Sequence, residues 1–560
     1  MSQIPLNKQL TKIRREAEER DAQRSAKKFN IPYLNLTKSP IQIDSLRLIE
    51  EEKARELQVA PFQYRNRVLA LAAVNPETDG VKEFIKQLET KGNKIKLFVA
   101  SLSSLRYAWS YYKFVIKTGP DISGKVIINK ERFHILFKKL NTIDLVKKEI
   151  ATFDFKTMPT TNLIEIIIAG ALKNRASDVH LEAEEKGARF RFRIDGALHD
   201  VVPNFPKDVY PFLVSRIKLL SNLKLNVKDV PQDGRFSIEL EKKEIEMRVS
   251  LIPSEFGETV VMRVLDPDSL KVNLEDLGLR PDDLEIIKTE LSRPNGMILN
   301  TGPTGSGKTT TLYTFLLFKR DPEVKIITIE DPIEYHLDDI EQTQTDEEAG
   351  YTFAGGLRSM MRQDPDVILV GEIRDKETGG IAVQAALTGH LVFSTIHANS
   401  SAGAIPRLLD LGVKAASIGP ALNIVIAQRL VRRICENCKV PQKPDEKLQA
   451  KVRKFLARLP DRIDKTKYEN ITLFKPKGCD KCNGIGYKGR IAIFGILQIT
   501  KEMRAIISPS VTLGQIKEQS EKQGMVYMQQ DGILKVISGI TTFDEVIEAT
   551  GPLVHLNNIH

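Results

Sequence analysis

The chain is poor in cysteine and tryptophan, with four cysteines and one tryptophan in 560 residues. A framework of disulfides is improbable, because such frameworks belong to small secreted domains. No apolar run approaches the roughly 20 residues that cross a bilayer, and residues 1–30 lack the apolar core of a secretion signal. No internal repeat is visible. From these absences we expect a cytosolic protein that is neither disulfide-rich nor membrane-spanning.

The composition is typical of a large globular chain. Hydrophobic residues make up 41% and charged residues 28%, which disfavours disordered, collagen-like and coiled-coil classes. The length predicts three or four domains, at roughly 150 residues each. A formal net charge of +10 and an isoelectric point near 9.1 favour an anionic partner, and nucleic acid, acidic lipid, nucleotide and acidic protein all satisfy that charge.

The first half of the chain divides into four parts. Residues 1–28 are charged and are interpreted as a solvated or frayed helix. Residues 29–113 alternate short apolar strands, at 68–74 and 95–99, with helical stretches at 44–56 and 80–90, which predicts a small α/β domain. Residues 114–157 are interpreted as a linker with some helix. Residues 158–268 begin with an apolar helix and continue with alternating strands, which predicts an α+β domain. The pair Asp195-Gly196 predicts a hairpin turn within it.

The second half predicts a larger α/β domain and two further regions. Residues 269–430 repeat strand and helix, which favours a mostly parallel sheet covered by helices. A cysteine-containing region at 431–497 and a helical region at 498–560 follow.

A phosphate-binding loop is the strongest motif in the sequence. The pattern G-x-x-x-x-G-K-[ST] follows an apolar strand at 297–300 and opens a helical run at 309–319, the setting that this motif requires. Its glycines let backbone N–H groups point at phosphate oxygens, and the helix N-terminus adds its positive end. Lys308 would bridge the β and γ phosphates of ATP, and Thr309 would bind Mg²⁺. The residues predicted to hold the nucleotide are Gly302, Pro303, Thr304, Gly305, Ser306, Gly307, Lys308, Thr309 and Thr310.

Two carboxylates stand at the ends of predicted strands, where open parallel sheets bind their ligands. We assign Glu330 to the attacking water and Glu372 to the Mg²⁺ side, with Lys308 as the third catalytic residue. Asp331 and Glu334 are close enough in sequence to compete with Glu330. A surface charge is the alternative for any single carboxylate.

His397 and Asn399 stand just beyond another predicted strand of this domain, at 391–394. From there they could sense the γ phosphate or transmit its loss to a neighbouring subunit. A lone histidine is more often structural, and that alternative stays open.

All four cysteines fall into two C-x-x-C pairs, which favours a structural Zn²⁺ site. The 40 residues at 439–478 that separate the pairs exceed the ~15 to 20 of a simple zinc ribbon. We expect a closed tetrahedral site from which this segment projects as a loop. Four reduced, metal-free thiols are the alternative. The predicted ligands are Cys435, Cys438, Cys479 and Cys482.

Together these motifs resemble the secretion ATPases of type II secretion and type IV pilus assembly. Besides the phosphate loop, the third domain carries the resemblance in four stretches, at 330–334, 356–366, 371–375 and 388–399. The second domain carries it in five more, at 176–182, 193–196, 231–235, 248–250 and 257–263.

The resemblance implies an α/β fold with a RecA-like ATPase domain, preceded by a smaller α+β, PAS-like domain and an N-terminal α/β domain that docks to a membrane complex. It also implies a homo-hexamer with ATP bound between the second and third domains. The resemblance implies, in addition, that Arg248 and Arg263 approach the nucleotide phosphates. The resemblance also agrees with the predicted Zn²⁺ site, because the assembly ATPases of this family often carry such a tetracysteine motif. The arginine set at the subunit contact would include Arg358, Arg362 and Arg374.

One position departs from the family's pattern. Gly495 stands where the family usually has a glutamate, so the contact that this acid makes is absent here or comes from elsewhere.

We therefore expect a motor that hydrolyses ATP to ADP and phosphate to extend a type IV pilus or a type II secretion pseudopilus. It would be cytoplasmic, held at the inner face of the plasma membrane by an inner-membrane platform protein, with no nucleic acid bound. A basic hexameric nucleic-acid translocase explains the charge equally well, but not the tetracysteine motif. A nucleotide-binding scaffold without turnover would need damaged carboxylates, and Glu330 and Glu372 are intact.

Overall fold

The computed structural model describes residues 6–39, 41, 43–46, 48–65, 68–90, 93–112, 130–153, 160–240, 243–270, 272–469 and 471–557. The chain forms two compact units. The first runs to residue 194 and resumes at 198–264, and the second comprises 195–197 and the chain from 265 onward.

The first unit contains nine helices and nine strands in the described part of the chain. The helices are α1 (Leu6–Phe29), α2 (Ile43–Leu46), α3 (Glu51–Glu56), α4 (Asp79–Thr90), α5 (Leu102–Trp109), α6 (Lys130–Lys139), α7 (Ile143–Ala151), α8 (Thr160–Lys173) and α9 (Tyr210–Leu220). The strands are β1 (Val59–Arg65), β2 (Val68–Ala73), β3 (Lys94–Val99), β4 (Ala176–Ala183), β5 (Gly187–Ile194), β6 (Ala197–Pro206), β7 (Gln232–Leu240), β8 (Lys243–Ser254) and β9 (Gly257–Leu265).

Helix α1 is packed against the first small sheet. Ala22 and Ala26 are buried, and the carboxylate of Glu19 accepts hydrogen bonds from the hydroxyls of Ser101 (2.7 Å) and Tyr33 (2.5 Å). The prediction of a solvated or frayed helix is therefore wrong for this part of the segment. Its small alanine face gave no signal, because the large aliphatic residues of the segment all precede it.

Strands β1, β2 and β3 form a three-stranded sheet in that order. The sequence predicted β2, β3 and helix α4 in this region but not β1. The single helix predicted at 44–56 is divided into α2 and α3, with Ile49 buried between them. Trp109 closes the core by donating its indole N–H to the carbonyl of Val59 (2.8 Å).

Helices α6 and α7 belong to the core of the domain that follows them. Phe133, Val146 and Ile150 are buried there, and a side chain at Gly170 of α8 would come within 2.7 Å of Val146. Residues 130–153 of the predicted linker are thus helical and packed into a core, so they do not form a linker. The rest of the predicted linker, at 114–129 and 154–157, lies outside the described residues.

The second sheet has six strands, in the order β6-β5-β4-β9-β8-β7. Its pattern was predictable because β5 alternates strictly, with Phe190 and Phe192 buried. The hairpin between β5 and β6 turns at Asp195 and Gly196, both with positive φ (49° and 91°). This turn was predicted from the Asp-Gly pair.

The second unit contains the larger sheet. Its helices are α10 (Pro281–Leu291), α11 (Lys308–Lys319), α12 (Phe353–Met360), α13 (Lys376–Leu387), α14 (Ser401–Asp410), α15 (Ala415–Ala421), α16 (Glu446–Ala457), α17 (Lys501–Ile506), α18 (Leu513–Lys522), α19 (Met528–Ile537), α20 (Phe543–Thr550) and α21 (Val554–Asn557). Its strands are β10 (Gly296–Thr301), β11 (Ile326–Glu330), β12 (Glu341–Gln344), β13 (Val367–Val370), β14 (Leu391–Ile396), β15 (Leu422–Ile434), β16 (Lys439–Gln442), β17 (Leu473–Pro476) and β18 (Tyr487–Gln498).

Seven of these strands form one sheet in the order β12-β11-β13-β14-β10-β15-β18. Neighbours pair in parallel except β15 and β18, which are antiparallel. Helices cover both faces, so the central strands β10, β11, β13 and β14 are buried along their whole length. This confirms the predicted mostly parallel sheet.

The segment between the cysteine pairs is folded and does not project as a loop. It contains β16, α16 and β17, and Val452 and Phe455 of α16 share a hydrophobic core with Ile533 and Leu534 of α19. The prediction that residues 439–478 project as a loop is therefore wrong, because apolar residues of this segment are buried against the C-terminal helices.

No helix in the described ranges combines the length and apolar character that a membrane crossing needs.

Candidate functional site

The phosphate loop leaves β10 at its carboxyl end and enters helix α11. Gly305 and Gly307 have positive φ values of 78° and 89°, a region that residues with a side chain rarely adopt. At Gly302 a side chain would come within 2.6 Å of the carbonyl oxygen of Gln428. These three positions need glycine for the loop to wrap as it does.

The ammonium group of Lys308 folds back over the loop. It donates hydrogen bonds to the carbonyl oxygens of Gly302 (2.8 Å) and Pro303 (3.1 Å). Burial lowers the pKa of Lys308, the positive charge of Arg429 lowers it further, and the carboxylate of Glu372 acts in the opposite direction. Lys308 and Glu372 are therefore electrostatic neighbours in the folded chain.

Polar groups of the same loop are left for a ligand. The hydroxyl of Ser306 is buried and has no hydrogen-bond partner within the described residues. Thr304 and Thr309 are exposed. The loop thus fits a phosphate group, which would bring acceptor oxygens to these donors.

Glu372 lies two residues beyond strand β13, and its side chain is only 15% exposed. One carboxylate oxygen pairs with the guanidinium of Arg374, and the other lies 3.3 Å from Nε2 of His397. The structure therefore brings together Lys308, Glu372 and His397, three of the predicted site residues.

Glu330, the last residue of β11, is 5% exposed and held by three protein donors. Its carboxylate accepts hydrogen bonds from the hydroxyl of Tyr313, the hydroxyl of Thr328 (2.7 Å) and the amide of Gln342 (3.1 Å). Burial raises the pKa of Glu330, and these hydrogen bonds counteract part of that rise. A carboxylate so enclosed has little room left to receive a water molecule.

Sequence reasoning missed two residues that shape this site. Tyr313 of α11 ties the helix that carries Lys308 to Glu330, and Gln428 of β15 accepts hydrogen bonds from Asn300 (3.1 Å) and Thr311 (2.9 Å) beneath the loop. Both are buried. Gln428 gave no signal because its partners lie more than 100 residues away in the sequence, and Tyr313 gave none because it stands within a largely apolar helical run.

The arginines predicted to approach the phosphates lie in the first unit. Arg248 on β8 pairs with Glu246 (3.3 Å), and Arg263 on β9 pairs with Asp178 (3.1 Å). The phosphate loop lies in the second unit. Their approach to the nucleotide therefore stays a prediction.

The other predicted arginines, in the second unit, are exposed. Arg358 pairs with Glu377, and Arg362 donates to the carbonyl of Arg358 (3.0 Å) and the hydroxyl of Ser359 (3.2 Å). Arg374 is 57% exposed beside Glu372. All of these contacts lie within the chain, so the role of the three arginines at a subunit interface stays a prediction.

The four cysteines converge in space. Their sulfur atoms all lie within 4.8 Å of one another, and Cys435–Cys479, Cys438–Cys482 and Cys479–Cys482 are separated by 3.9, 3.8 and 3.7 Å. Tetrahedral coordination with Zn–S bonds of about 2.3 Å requires S···S edges of about 3.8 Å. The cluster therefore fits a Zn²⁺ ion.

The space around Gly495, where the family usually has a glutamate, is restricted by helix α19. A side chain at this position of β18 would begin 3.0 Å from the backbone nitrogen of Met528 at the start of α19. A glutamate would require helix α19 to shift.

A sheet with a phosphate loop at the end of β10, and a carboxylate beyond β13, which is separated from β10 by the single strand β14, defines a nucleotide hydrolase of the phosphate-loop class. Solved structures share the fold: the ATPase DotB of Yersinia pseudotuberculosis matches with a TM-score of 0.52 at 19% identity, over 71% of this chain and 95% of that one. The ATPase DotB of Legionella pneumophila matches with a TM-score of 0.50 at 21% identity, over 70% of this chain and 95% of that one.

Sequence comparison is more specific. The family model described as "Type II/IV secretion system protein" matches residues 155–548, and the MshEN domain model matches residues 29–113. The type IV pilus assembly ATPase PilB of Myxococcus xanthus is 36% identical over 94% of this chain and 90% of its own length. The putative type II secretion system protein E of Escherichia coli is 44% identical over 70% of this chain and 76% of its own length. The chain belongs to the type II/IV secretion ATPase family, and it is an ATPase.

Proposed function

We propose that this protein hydrolyses ATP to drive extension of a type IV pilus or of a type II secretion pseudopilus. The convergence of Lys308, Glu372 and His397 at the phosphate loop supports it most directly. Relatives at 36% and 44% identity are named for pilus assembly and type II secretion. The motor would work as a homo-hexamer in the cytoplasm, held at the inner membrane by a platform protein.

In this proposal the loop binds the ATP phosphates, with Lys308 on the β and γ phosphates and Thr309 on Mg²⁺. Bound Mg²⁺ would neutralise charge on the phosphates. Glu372 keeps its place on the metal side, and His397, 3.3 Å from it, is placed to respond to the γ phosphate.

The role on the attacking water is less simple than the sequence suggested. The three donors on Glu330 favour a positioning role for its carboxylate, which would hold the segment at 330–334 against helix α11. Glu334, half-buried and four residues further on, then competes for the catalytic role. Comparing Glu330→Gln with Glu334→Gln separates these assignments, because loss of a general base abolishes turnover while nucleotide still binds.

We further propose that residues 29–113 dock the motor to its membrane complex, that the α+β domain at 158–268 is PAS-like and flanks the nucleotide, and that the cysteine cluster binds Zn²⁺. The MshEN match, the six-stranded sheet and the sulfur spacings support these three points respectively. In the hexamer the exposed arginines Arg358, Arg362 and Arg374 would lie at the subunit contact.

The decisive experiment is steady-state ATP hydrolysis by Lys308→Ala and Glu372→Ala. Both variants should lose turnover, because each removes a charged group that contacts the phosphates or their metal. Lys376→Ala and Glu348→Ala, both on exposed side chains, are matched controls and should keep it. Turnover like the wild type in either site variant contradicts the assignment, and strong stimulation by nucleic acid would favour a translocase.

A further inference from the structure

Strand β15 carries an arginine to the edge of the phosphate loop. In the parallel register between β10 and β15, Thr301 pairs with Ala427, so Arg429 lies two residues beyond the end of β10. Its guanidinium donates to the carbonyl oxygen of Gln428 (3.3 Å), the same oxygen that a side chain on Gly302 would approach to 2.6 Å. Arg429 is therefore adjacent to the first residue of the loop.

This guanidinium is half-buried without a neutralising carboxylate. Among the residues that the structure describes, Arg429 makes no ion pair, and burial lowers its pKa with no opposing contribution from an acidic neighbour. Arg432, three residues along the same strand, is bonded to Glu545 (2.9 Å). An arginine so withdrawn from water is normally paired, because desolvating an isolated charge is costly.

Arg429 also adds to the positive charge at the loop. Its charge lowers the pKa of Lys308, which shows that the two cations lie within electrostatic range of each other. Glu372 offsets Lys308, whereas no carboxylate of the described residues offsets Arg429. Two cations at one loop, of which only Lys308 is offset by a carboxylate, form a site that an anion would stabilise.

We propose that Arg429 is a second phosphate-binding cation of this site, which contacts the phosphate chain of the bound nucleotide together with Lys308. A guanidinium suits this task because it is always charged and offers several donors in one plane. The proposal rests on the proposed function, since it requires the loop to bind a nucleotide. It adds a binding residue that lies more than 100 residues after the loop in the sequence.

The test compares Arg429→Met, Arg429→Lys and Arg433→Ala. Arg433 lies on the same strand and is exposed, which makes it the control. Affinities for ATP, ADP, AMP and adenosine would be measured by titration calorimetry. Arg429→Met should weaken ADP and ATP about tenfold or more, the effect of losing one charged hydrogen bond, and leave adenosine unchanged. Arg429→Lys should recover part of the loss, and Arg433→Ala should match the wild type.

Thermal unfolding separates a binding role from a structural one. Removing an unpaired, half-buried charge should leave the melting temperature of the nucleotide-free protein unchanged or raise it, whereas the rise produced by ADP should shrink. Wild-type ADP and ATP affinities in Arg429→Met overturn the proposal, as does a variant that is destabilised without nucleotide but binds normally. If Lys308→Ala also binds ATP normally, the proposed site itself fails, and that result is distinct from a failure of Arg429 alone.

Discussion

Burial changes what individual carboxylates can do at this site. Glu330 and Glu372 have the same side chain and both stand at the carboxyl ends of parallel strands, yet of the two only Glu372 acts on the pKa of Lys308. Glu330 is enclosed by hydroxyl and amide donors, and its pKa is raised by burial. The surroundings of each carboxylate therefore support the proposed metal-side role for Glu372 and favour the proposed positioning role for Glu330.

The raised pKa of Glu330 predicts a dependence of stability on pH. The folded state holds the proton of Glu330 more tightly than the unfolded state does, so stability decreases as pH rises from the unfolded pKa of about 4.3 through the folded one. Glu330→Gln cannot ionise, so its melting temperature should fall less than that of the wild type between about pH 4 and pH 8.

Differential scanning calorimetry across that range measures the difference in slope, in which any constant loss of hydrogen bonding cancels. Glu348→Gln, at an exposed position, should follow the wild type. Parallel curves for wild type and Glu330→Gln would show that Glu330 is ionised as easily in the folded chain as in the unfolded one.

Between elements, a network of charges joins the start of the ATPase sheet to the C-terminal helices. Asp531 of α19 is fully buried and accepts hydrogen bonds from Arg280 (2.8 Å), Lys535 (2.5 Å) and the backbone N–H of Phe494 in β18 (2.8 Å). Arg280 also pairs with Asp283 (2.6 Å). One carboxylate thus connects α19, β18 and the segment before α10.

Asp531→Asn should destabilise the second unit, because it leaves the buried ammonium group of Lys535 without the carboxylate that pairs with it and removes one of the carboxylates that pair with Arg280. Breaking a buried pair in this way costs about 3 to 5 kcal/mol. Calorimetry would show it as a lower melting temperature, and limited proteolysis as earlier cleavage around α19. Asp461→Asn, at a fully exposed carboxylate, is the control, and equal stability of the two variants would show that the network contributes nothing.

The cysteine cluster is predicted to bind zinc and to stabilise the segment between the two cysteine pairs. Elemental analysis should find about one zinc ion per chain, and chelation should lower the melting temperature, because the folded segment between the pairs loses its cross-link. Cys438→Ser and Cys482→Ser should do the same without chelator. A metal content far below one per chain would leave four reduced thiols.

Across the whole molecule, the motifs that act locally were the most predictable from sequence. The loop at Gly302–Thr309 needs only its own glycines and the strand and helix beside it, and the Asp195-Gly196 turn needs only two residues. The burial of helix α1, strand β1 and the folded segment at 439–478 escaped prediction, because they depend on packing against other parts of the chain. The same reason hid Gln428, whose partners lie more than 100 residues away.

At the scale of the whole molecule, Arg248 and Arg263 of the first unit are predicted to act in ATP hydrolysis. Arg248→Ala and Arg263→Ala should each lower kcat by at least tenfold, because a guanidinium stabilises the charge that spreads during phosphoryl transfer. Circular dichroism should show both variants folded, since each loses only a partly exposed ion pair. Arg189→Ala, which also loses an exposed pair, is the control, and unchanged turnover in all three would remove both arginines from the site.

Strands β15 and β18 have one further consequence. They pair from Ile424 and Gln498 to Ile434 and Tyr487, so a single hydrogen-bonded ribbon passes the phosphate loop at Gln428 and ends beside Cys435. The 13 residues of β15 span about 40 Å. Hydrogen-bonded strands resist stretching, so the ribbon is a stiff connection between the phosphate loop, part-way along its length, and the cysteine cluster at its tip. A small displacement at the nucleotide would be delivered to that tip with little loss.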